Sequence, residues 1–243
     1  MTETASTQSE RTVLVWDAPT RIFHWALVAL IVVAWLTGEG EGQSAAYHRY
    51  AGEALAGMLV FRLVWGFVGG EHARFADFAA GPVAILDHVR DVFSKTPKRH
   101  LGHNPLGALA VFLLLANVAA IVVTGLFSGG EDNSGPFAGV WGLELSEVHE
   151  VAFRVLQALV ALHILGVIVE TLKARDALVP AMITGKKRRR SDEPGVDARR
   201  ASAIALIAAL LLGAVVSVVL IGQPQVVLSS TSSGQSQAEK MDD

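Results

Sequence analysis

Long apolar runs, separated by shorter polar connections, make up most of the chain. Five of the runs are long enough to cross a ~30 Å hydrocarbon core as α-helices. Glycine, proline or small polar residues bound most of them, as is typical of helix ends. The pattern predicts an all-α integral membrane helical bundle with spans at 20–38, 47–69, 105–128, 147–172 and 201–221.

The same pattern divides the chain into segments. The first residues are polar and acidic, which predicts a disordered N-terminus without a cleavable signal peptide. The residues after Gln223 have the Ser/Gln/Thr-rich composition of disordered segments. The predicted organisation is an N-terminus (1–12), a four-helix membrane domain (13–185), a basic linker (186–200), a fifth transmembrane helix (201–222) and a tail (223–243).

Basic residues lie almost entirely in alternate connections. Sixteen lysines and arginines fall in the N-terminal segment and in the 70–104 and 173–200 connections. The charged residues of the 39–46 and 129–146 connections are all acidic. By the positive-inside rule, this predicts a bacterial inner-membrane protein with a cytoplasmic N-terminus and a periplasmic C-terminus. We interpret the basic run at 186–190 as a topogenic anchor that contacts anionic membrane lipid, in preference to a nucleic-acid patch.

The composition limits which redox cofactors the chain can bind. Hydrophobic residues make up 51% of the chain and the mean hydropathy is +0.43, as expected for a membrane protein. The chain has no cysteine, which excludes disulfides, thiolate-bound iron–sulfur clusters and thioether-attached haem. Any redox cofactor must therefore have histidine, methionine or other non-thiol ligands.

The fourth span carries two histidines, His149 and His163, fourteen positions apart. On an α-helix this separation is a rise of about 21 Å and nearly a whole number of turns. Both imidazoles therefore leave the same face of the helix, one near each side of the membrane. Intramembrane histidine is costly, so it points to a function.

The predicted topology assigns a partner to each ring. His24 lies near the inner end of the first span, and His48 lies near the outer end of the second. Depth therefore pairs His48 with His149 and His24 with His163, the arrangement that two bis-imidazole haems need. Histidines that merely pack in the bundle are the alternative interpretation, which the pairwise match in depth disfavours.

Three arginines lie inside the second and fourth predicted spans. Arg49 adjoins His48 and is placed to hold the propionates of an outer haem. Arg62 is placed to hold those of an inner haem, or to extend to the inner interface. For Arg154, contact with a propionate and pairing with Glu53 both remain open.

The 70–104 connection contains the remaining histidines and a predicted interfacial helix at 82–93. His72, His88, His100 and His103 have irregular spacing and no nearby set of carboxylates. We expect solvated loop positions here and no metal site, with His100 or His103 as candidates for proton relay near a quinone.

At this point the sequence resembles a known family, the bacterial cytochrome b561 and nickel-hydrogenase b-type cytochromes. The similar segments are Val15 to Trp25, His48 to Gly52, Phe61 to Gly66, Ala73 to Phe78 and Gly102 to Gly107, with the pair His149 and His163. The resemblance implies a four-helix haem b bundle and ligand roles for His24, His48, His149 and His163. It also implies electron transfer between the quinone pool and another donor or acceptor.

The fifth span departs from the four-helix pattern. Hydrogenase-type relatives can carry extra spans with extra histidine ligands, but this span has no histidine. The departure argues against a hydrogenase subunit in particular and leaves the partner open.

We therefore predict a membrane cytochrome with two haem b groups. It would carry single electrons between quinone or quinol and a periplasmic redox partner, such as a soluble c-type cytochrome, or superoxide as in some relatives. Whether it acts as an electron carrier, a subunit or a quinone-linked oxidoreductase stays open.

Two alternatives come from other classes. One is a haem-free membrane anchor or assembly protein. The other is a proton-coupled transporter using His24 and His163, which the lack of inverted repeats and of helices broken at mid-membrane disfavours.

Overall fold

The computed structural model describes residues 12–94, 100–129, 134–188 and 197–223. The expectations for the first eleven residues, for 189–196 of the linker and for the tail from 224 concern positions outside these ranges. The elements in chain order are β1 (Thr12–Leu14), α1 (Ala18–Thr37), α2 (Gln43–Val68), α3 (Phe75–Phe78), α4 (Pro82–Val92), α5 (Pro105–Phe127), a 3₁₀ turn (Val140–Gly142), α6 (Ser146–Lys173), α7 (Leu178–Thr184), β2 (Lys186–Arg188) and α8 (Ala203–Ile221).

The all-α membrane bundle predicted from the sequence is confirmed. Five helices, α1, α2, α5, α6 and α8, are long and apolar enough to cross a membrane. Their ends lie within a few residues of the predicted spans. The predicted interfacial helix is also present as α4.

Short-range capping explains where three of the long helices begin. The Asp17 carboxylate accepts a 2.8 Å hydrogen bond from the Thr20 amide at the start of α1. Asn104 accepts from the Gly107 amide at α5, and Ser202 accepts from the Ala205 amide at α8. Each cap satisfies one of the backbone donors that a helix N-terminus leaves unpaired.

Helix α2 is the centre of the bundle. It packs extensively against α1 on one side and α8 on another, with a smaller contact to α5, while α5 packs against α6. Among the described residues, α1 and α6 are not one of the closely packed pairs. The space between α6 and the α1–α2 pair is therefore where the bundle is least filled by protein.

The two ends of the bundle differ in charge and in structure. We call the end that holds β1, α3, α4, α7 and β2 the basic end. Strands β1 and β2 pair in antiparallel register there, Thr12 opposite Arg188. The sequence patterns did not predict this pairing of the N-terminal segment with the first residues of the basic linker.

We call the opposite end, with the 38–42 and 128–145 connections, the acidic end. A glutamate ties the second connection together: Glu144 accepts hydrogen bonds from the amide of Gly129 and from Ser146. These hydrogen bonds, from Ser146 first and then Gly129, hold the pKa of Glu144 below its usual value. The carboxylate is therefore charged at neutral pH.

The fifth span packs on α2 through small residues. A Cβ atom added at Gly213 would lie 2.6 Å from the carbonyl oxygen of Gly57, so the two backbones touch. Ser217 of α8 donates a 3.2 Å hydrogen bond to the backbone oxygen of Glu53. Close backbone approach and a polar contact are what hold helices together in lipid. The fifth helix is thus an integral part of the bundle core.

The crossing predicts a stability effect. Gly213→Leu would place a side chain against the α2 backbone, and overpacking of this kind lowers the free energy of unfolding by roughly 1–3 kcal/mol. The midpoint of thermal unfolding in detergent should therefore fall. The matched control is Val215→Leu, at a lipid-facing position of the same helix that is 57% exposed. Equal unfolding midpoints for the two variants would contradict this packing role.

Candidate functional site

His48 of α2 and His149 of α6 face each other near the acidic end. Their ring centroids are 6.1 Å apart and their planes cross at 79°. Two imidazoles on opposite sides of one metal ion, with metal–nitrogen bonds of about 2 Å, have centroids about 6 Å apart. The spacing fits a single metal ion ligated axially by both rings.

Each of these rings has its Nδ1 atom held by the backbone of a neighbouring helix. His48 Nδ1 is 2.8 Å from the carbonyl oxygen of Ala34, and His149 Nδ1 is 2.9 Å from that of Ile121. The Thr124 hydroxyl lies 3.2 Å from His149 Nδ1 as well. A carbonyl partner requires a proton on Nδ1, which leaves Nε2 as a lone-pair donor. Both rings are therefore in the tautomer that ligates a metal through Nε2.

Glycines set the position of the same two rings. A Cβ atom added at Gly38 would lie 3.4 Å from the His48 ring, and one added at Gly125 would lie 3.0 Å from His149 Cε1. Each imidazole therefore packs directly on a backbone segment. A larger side chain at either position would displace the ring.

His24 of α1 and His163 of α6 form a second pair toward the basic end. His163 is close enough to His24 for the two rings to interact electrostatically. The Nδ1 atom of His24 is buried and has no hydrogen-bond partner, and its ring packs edge-on against Trp25 at 5.0 Å. A buried nitrogen without a partner costs free energy, which a bound ligand would offset.

Glycines beside the paired histidines leave room for a flat cofactor. No atom lies within 4 Å of the position that a Cβ would take at Gly52, one turn from His48, or at Gly166, near His163. Gly57 and Gly66 differ, because Gly57 packs on α8 and the Phe75 ring covers Gly66. Each histidine pair therefore has beside it a glycine with unfilled space, which leaves room for the plane of a porphyrin.

The predicted propionate ligands lie in different surroundings. Arg49 is 3.7 Å from the Glu53 carboxylate, and Arg62 is 3% exposed with its guanidinium 4.8 Å from the centre of the Phe75 ring. Both have a buried guanidinium nitrogen without a hydrogen-bond partner, Nε in Arg49 and Nη1 in Arg62. Nη1 of Arg62 can therefore still bind an anionic group, whereas Nε of Arg49 already faces the Glu53 carboxylate.

Arg154 does not pair with Glu53, which was one of the two alternatives left open by the sequence. It is exposed and pairs with Glu150 one turn earlier on α6. Glu53 takes Arg49 as its partner instead.

Three of the histidines that we expected in solvated loops are partly or fully enclosed at the basic end. His88 is only 5% exposed, and His100 and His103 each have a buried Nδ1 without a partner. Among the described residues, no group of three or more metal-ligating side chains is close enough to hold a metal ion. The expectation of solvated positions was therefore wrong, because α4 and the end of the 70–104 connection fold over the bundle.

Sequence patterns missed the groups that orient the ligand histidines. The carbonyls of Ala34 and Ile121 and the packing glycines give no local signal, because any residue supplies a carbonyl. Glu170 could have been found: it is an acid inside the apolar run of α6, seven residues from His163 and on the same face. It is 7% exposed.

A membrane bundle of helices with facing imidazoles and open glycines beside them is the architecture of a b-type cytochrome. The comparison with family profiles agrees, since the one described as Prokaryotic cytochrome b561 matches residues 15–185. The chain belongs to the prokaryotic cytochrome b561 family. It is a multi-pass membrane cytochrome of b type, which carries haem b and takes part in electron transport.

Characterised relatives extend the match over most of the chain. It is 29% identical over 215 residues to a probable Ni/Fe-hydrogenase B-type cytochrome subunit of Bradyrhizobium diazoefficiens, covering 73% of this chain and 86% of the relative. A protein with the same description in Azotobacter vinelandii is 28% identical, covering 77% of this chain and 93% of the relative. A probable Ni/Fe-hydrogenase 1 B-type cytochrome subunit of Escherichia coli K12 is 24% identical, covering 70% of this chain and 88% of the relative. No solved structure matches significantly.

The environment of His103 predicts how stability depends on pH. Burial, then nearby Arg62, lowers the pKa of His103 from 6.5 to about 3. The imidazole is neutral in the folded protein, so its contribution to stability is present above pH 6.5 and is lost as the pH falls toward 3. His103→Phe, which keeps an aromatic ring against Phe78 and Trp16, should therefore flatten the decline of the unfolding midpoint between pH 6.5 and 4. An unchanged decline would contradict the assignment.

Proposed function

We propose that this cytochrome carries single electrons across the bacterial inner membrane between the quinone pool and a periplasmic redox partner, through two haem b groups. The facing pair His48 and His149, with both Nε2 atoms available, is the observation that carries the proposal. His24 and His163 would hold the second haem. Haem b supplies a reversible one-electron couple when it is bound.

Helix α6 supports the two-haem arrangement because it contributes one ligand to each pair. The rise from His149 to His163 is about 21 Å, most of the hydrocarbon thickness. Haem groups held at both pairs would adjoin the less filled space between α6 and the α1–α2 pair. They would supply two one-electron carriers, one toward each side of the membrane.

The arginines would position the propionates. Arg49, beside His48, would bind an outer propionate, and Arg62, whose buried Nη1 has no hydrogen-bond partner, would bind one of the inner group. A guanidinium binds a carboxylate strongly where water is excluded. Each arginine would thereby fix the rotation of its haem about the axis between the ligands.

The charge distribution supports the orientation. The basic end holds nearly all of the lysines and arginines and would face the cytoplasm, which places the acidic end in the periplasm. Glu144 and Glu147 then lie at the periplasmic ends of α5 and α6. A soluble c-type cytochrome with a lysine-rich surface fits this charge.

Trp141 is the best candidate for the contact point of such a partner. It is 84% exposed and one face of its indole stacks on Phe127 at 6.0 Å. Its backbone is in the left-handed region (φ 56°), between Gly139 and Gly142 with the same sign of φ. Phe127 ends the helix whose Gly125 packs on His149, so Trp141 lies at the same end of the bundle as the outer histidine pair.

The relatives favour a second candidate partner. All of those compared carry the description of a Ni/Fe-hydrogenase B-type cytochrome subunit. A membrane-associated hydrogenase, oxidising hydrogen on the periplasmic side and passing electrons through this chain to quinone, is the corresponding function here. The lack of a histidine in the fifth span does not oppose it, because α8 has a packing role.

A spectrum tests both the cofactor and the pairing. The reduced-minus-oxidised spectrum of the purified protein should show b-type α bands from two haems. His48→Ala and His149→Ala should each remove the same haem and halve the haem content, because either change leaves one axial ligand. His24→Ala and His163→Ala should remove the other haem. Loss of different haems from His48→Ala and His149→Ala would refute the pairing, and no Soret absorption in the unmodified protein would refute the function.

The acidic end predicts the behaviour of a cationic partner. With mitochondrial cytochrome c as the lysine-rich probe, Trp141→Ala should weaken binding about tenfold, as for a buried interface tryptophan. Binding should also weaken as ionic strength rises. The control is Phe93→Ala, an exposed aromatic of the basic end. Because the chain has no cysteine, a spin label at Trp141→Cys reports on one site only. Lipid contact of that label together with unchanged probe binding would identify a membrane anchor and overturn the docking role.

A further inference from the structure

A cavity of about 560 Å³ opens at the basic end, between α4 and the start of α5. We call it the His88–His100 cavity. Two small apolar residues and five polar side chains line it: Ala84, Pro105, Asp87, His88, Arg90, Asp91 and His100. Its volume lies within the range of small-molecule sites, and it is separate from both histidine pairs.

Two histidines face the cavity with uncommitted nitrogens. The His88 side chain is 5% exposed and its buried Nε2 has no hydrogen-bond partner. The buried Nδ1 of His100 has none either, and the two rings meet edge to face at 5.2 Å. A buried imidazole that neither donates nor accepts is costly unless water or a ligand completes it.

A buried ion pair holds His100 in place. Lys187 Nζ lies 2.6 Å from the Asp176 carboxylate, both side chains being at most 3% exposed, and it also donates to the backbone oxygen of His100. The backbone of this segment is therefore fixed from the β2 side. The position of His100 is therefore set by its contact with Lys187.

Glu170 connects the cavity to the inner histidine pair. It is buried on α6 and interacts electrostatically with His100. Seven residues separate it from His163, a rise of about 10 Å on the same face of the helix. The series from Asp91 through His88 and His100 to Glu170 thus leads from water at the basic end toward His163.

Neutral imidazoles suit proton transfer, because one nitrogen accepts a proton while the other donates one. Burial, then His88, lowers the pKa of His100, whereas Glu170 and Asp91 raise it and Lys187 lowers it. His100 is therefore neutral at pH 7 and able to pass protons in either direction.

We propose that His88, His100 and Glu170 form the path along which protons move between the water at the basic end and quinone that reacts beside His163. This rests on the proposed quinone function. Reduction of a quinone to a quinol takes two electrons, delivered singly from the protein, and two protons, delivered along this path. Oxidation of a quinol returns both protons by the same groups.

The test uses the full-length protein loaded with haem, in liposomes, with decylubiquinol as the quinol probe. His100→Ala and Glu170→Gln should slow quinol-driven haem reduction on the order of 100-fold, the contribution typical of positioned acid–base groups. The dithionite-reduced spectrum and the midpoint potentials should be unchanged. Added imidazole should restore the rate of His100→Ala, because the cavity can hold it, and Glu170→Asp should retain more activity than Glu170→Gln.

A matched control is His72→Asn, which removes a histidine at the same end but outside the cavity. Asparagine tolerates the left-handed backbone conformation of this position. It should behave as the unmodified protein. If decylubiquinol reduces the haem of the variants as fast as that of the unmodified protein, the path is refuted while the quinone function stands. If quinol fails to reduce the unmodified protein although dithionite does, both the quinone function and the path are refuted. A rate loss that imidazole does not restore, with an altered spectrum, assigns His100 a structural role and also refutes the path.

Discussion

An imidazole inside a membrane must have its N–H satisfied, and the backbone does so for His48 and His149. Ala34 and Ile121 lie in the last turns of α1 and α5, and their carbonyls bind the Nδ1 atoms of His48 and His149. Because that bond fixes the tautomer, it also determines which nitrogen can ligate iron. The packing of α1 on α2 and of α5 on α6 is therefore inseparable from the chemistry of the site.

The distribution of close and open glycines follows from the same constraint. Where two helices must touch, as at Gly57 and Gly213, the absent side chain lets the backbones meet. Where a planar cofactor must enter, as at Gly52 and Gly166, the absent side chain leaves space. Helix α8 packs mainly on α2, and its small residues support that helix.

The two ends of the bundle are built for different tasks. At the basic end, β1, β2, α4 and the Asp176–Lys187 pair enclose histidines and a carboxylate in fixed positions. Fixed, partly dehydrated groups of this kind suit proton transfer. At the acidic end, charged carboxylates and an indole held outward by an unfavourable backbone conformation present a surface. That arrangement suits a transient contact with a soluble or membrane-bound partner.

The sequence by itself determined the five helices, the alternation of basic and acidic connections and the pairing of histidines by depth. These follow from local periodicity and charge, which act over one helix at a time. Only the tertiary structure decided that Gly52 and Gly166 are open while Gly57 and Gly66 are covered, that Arg154 pairs with Glu150, and that His88 and His100 are enclosed. The physical reason is that burial and hydrogen-bond partners depend on which helices meet, and α4, β2 and α8 reach their contacts across long separations in the chain.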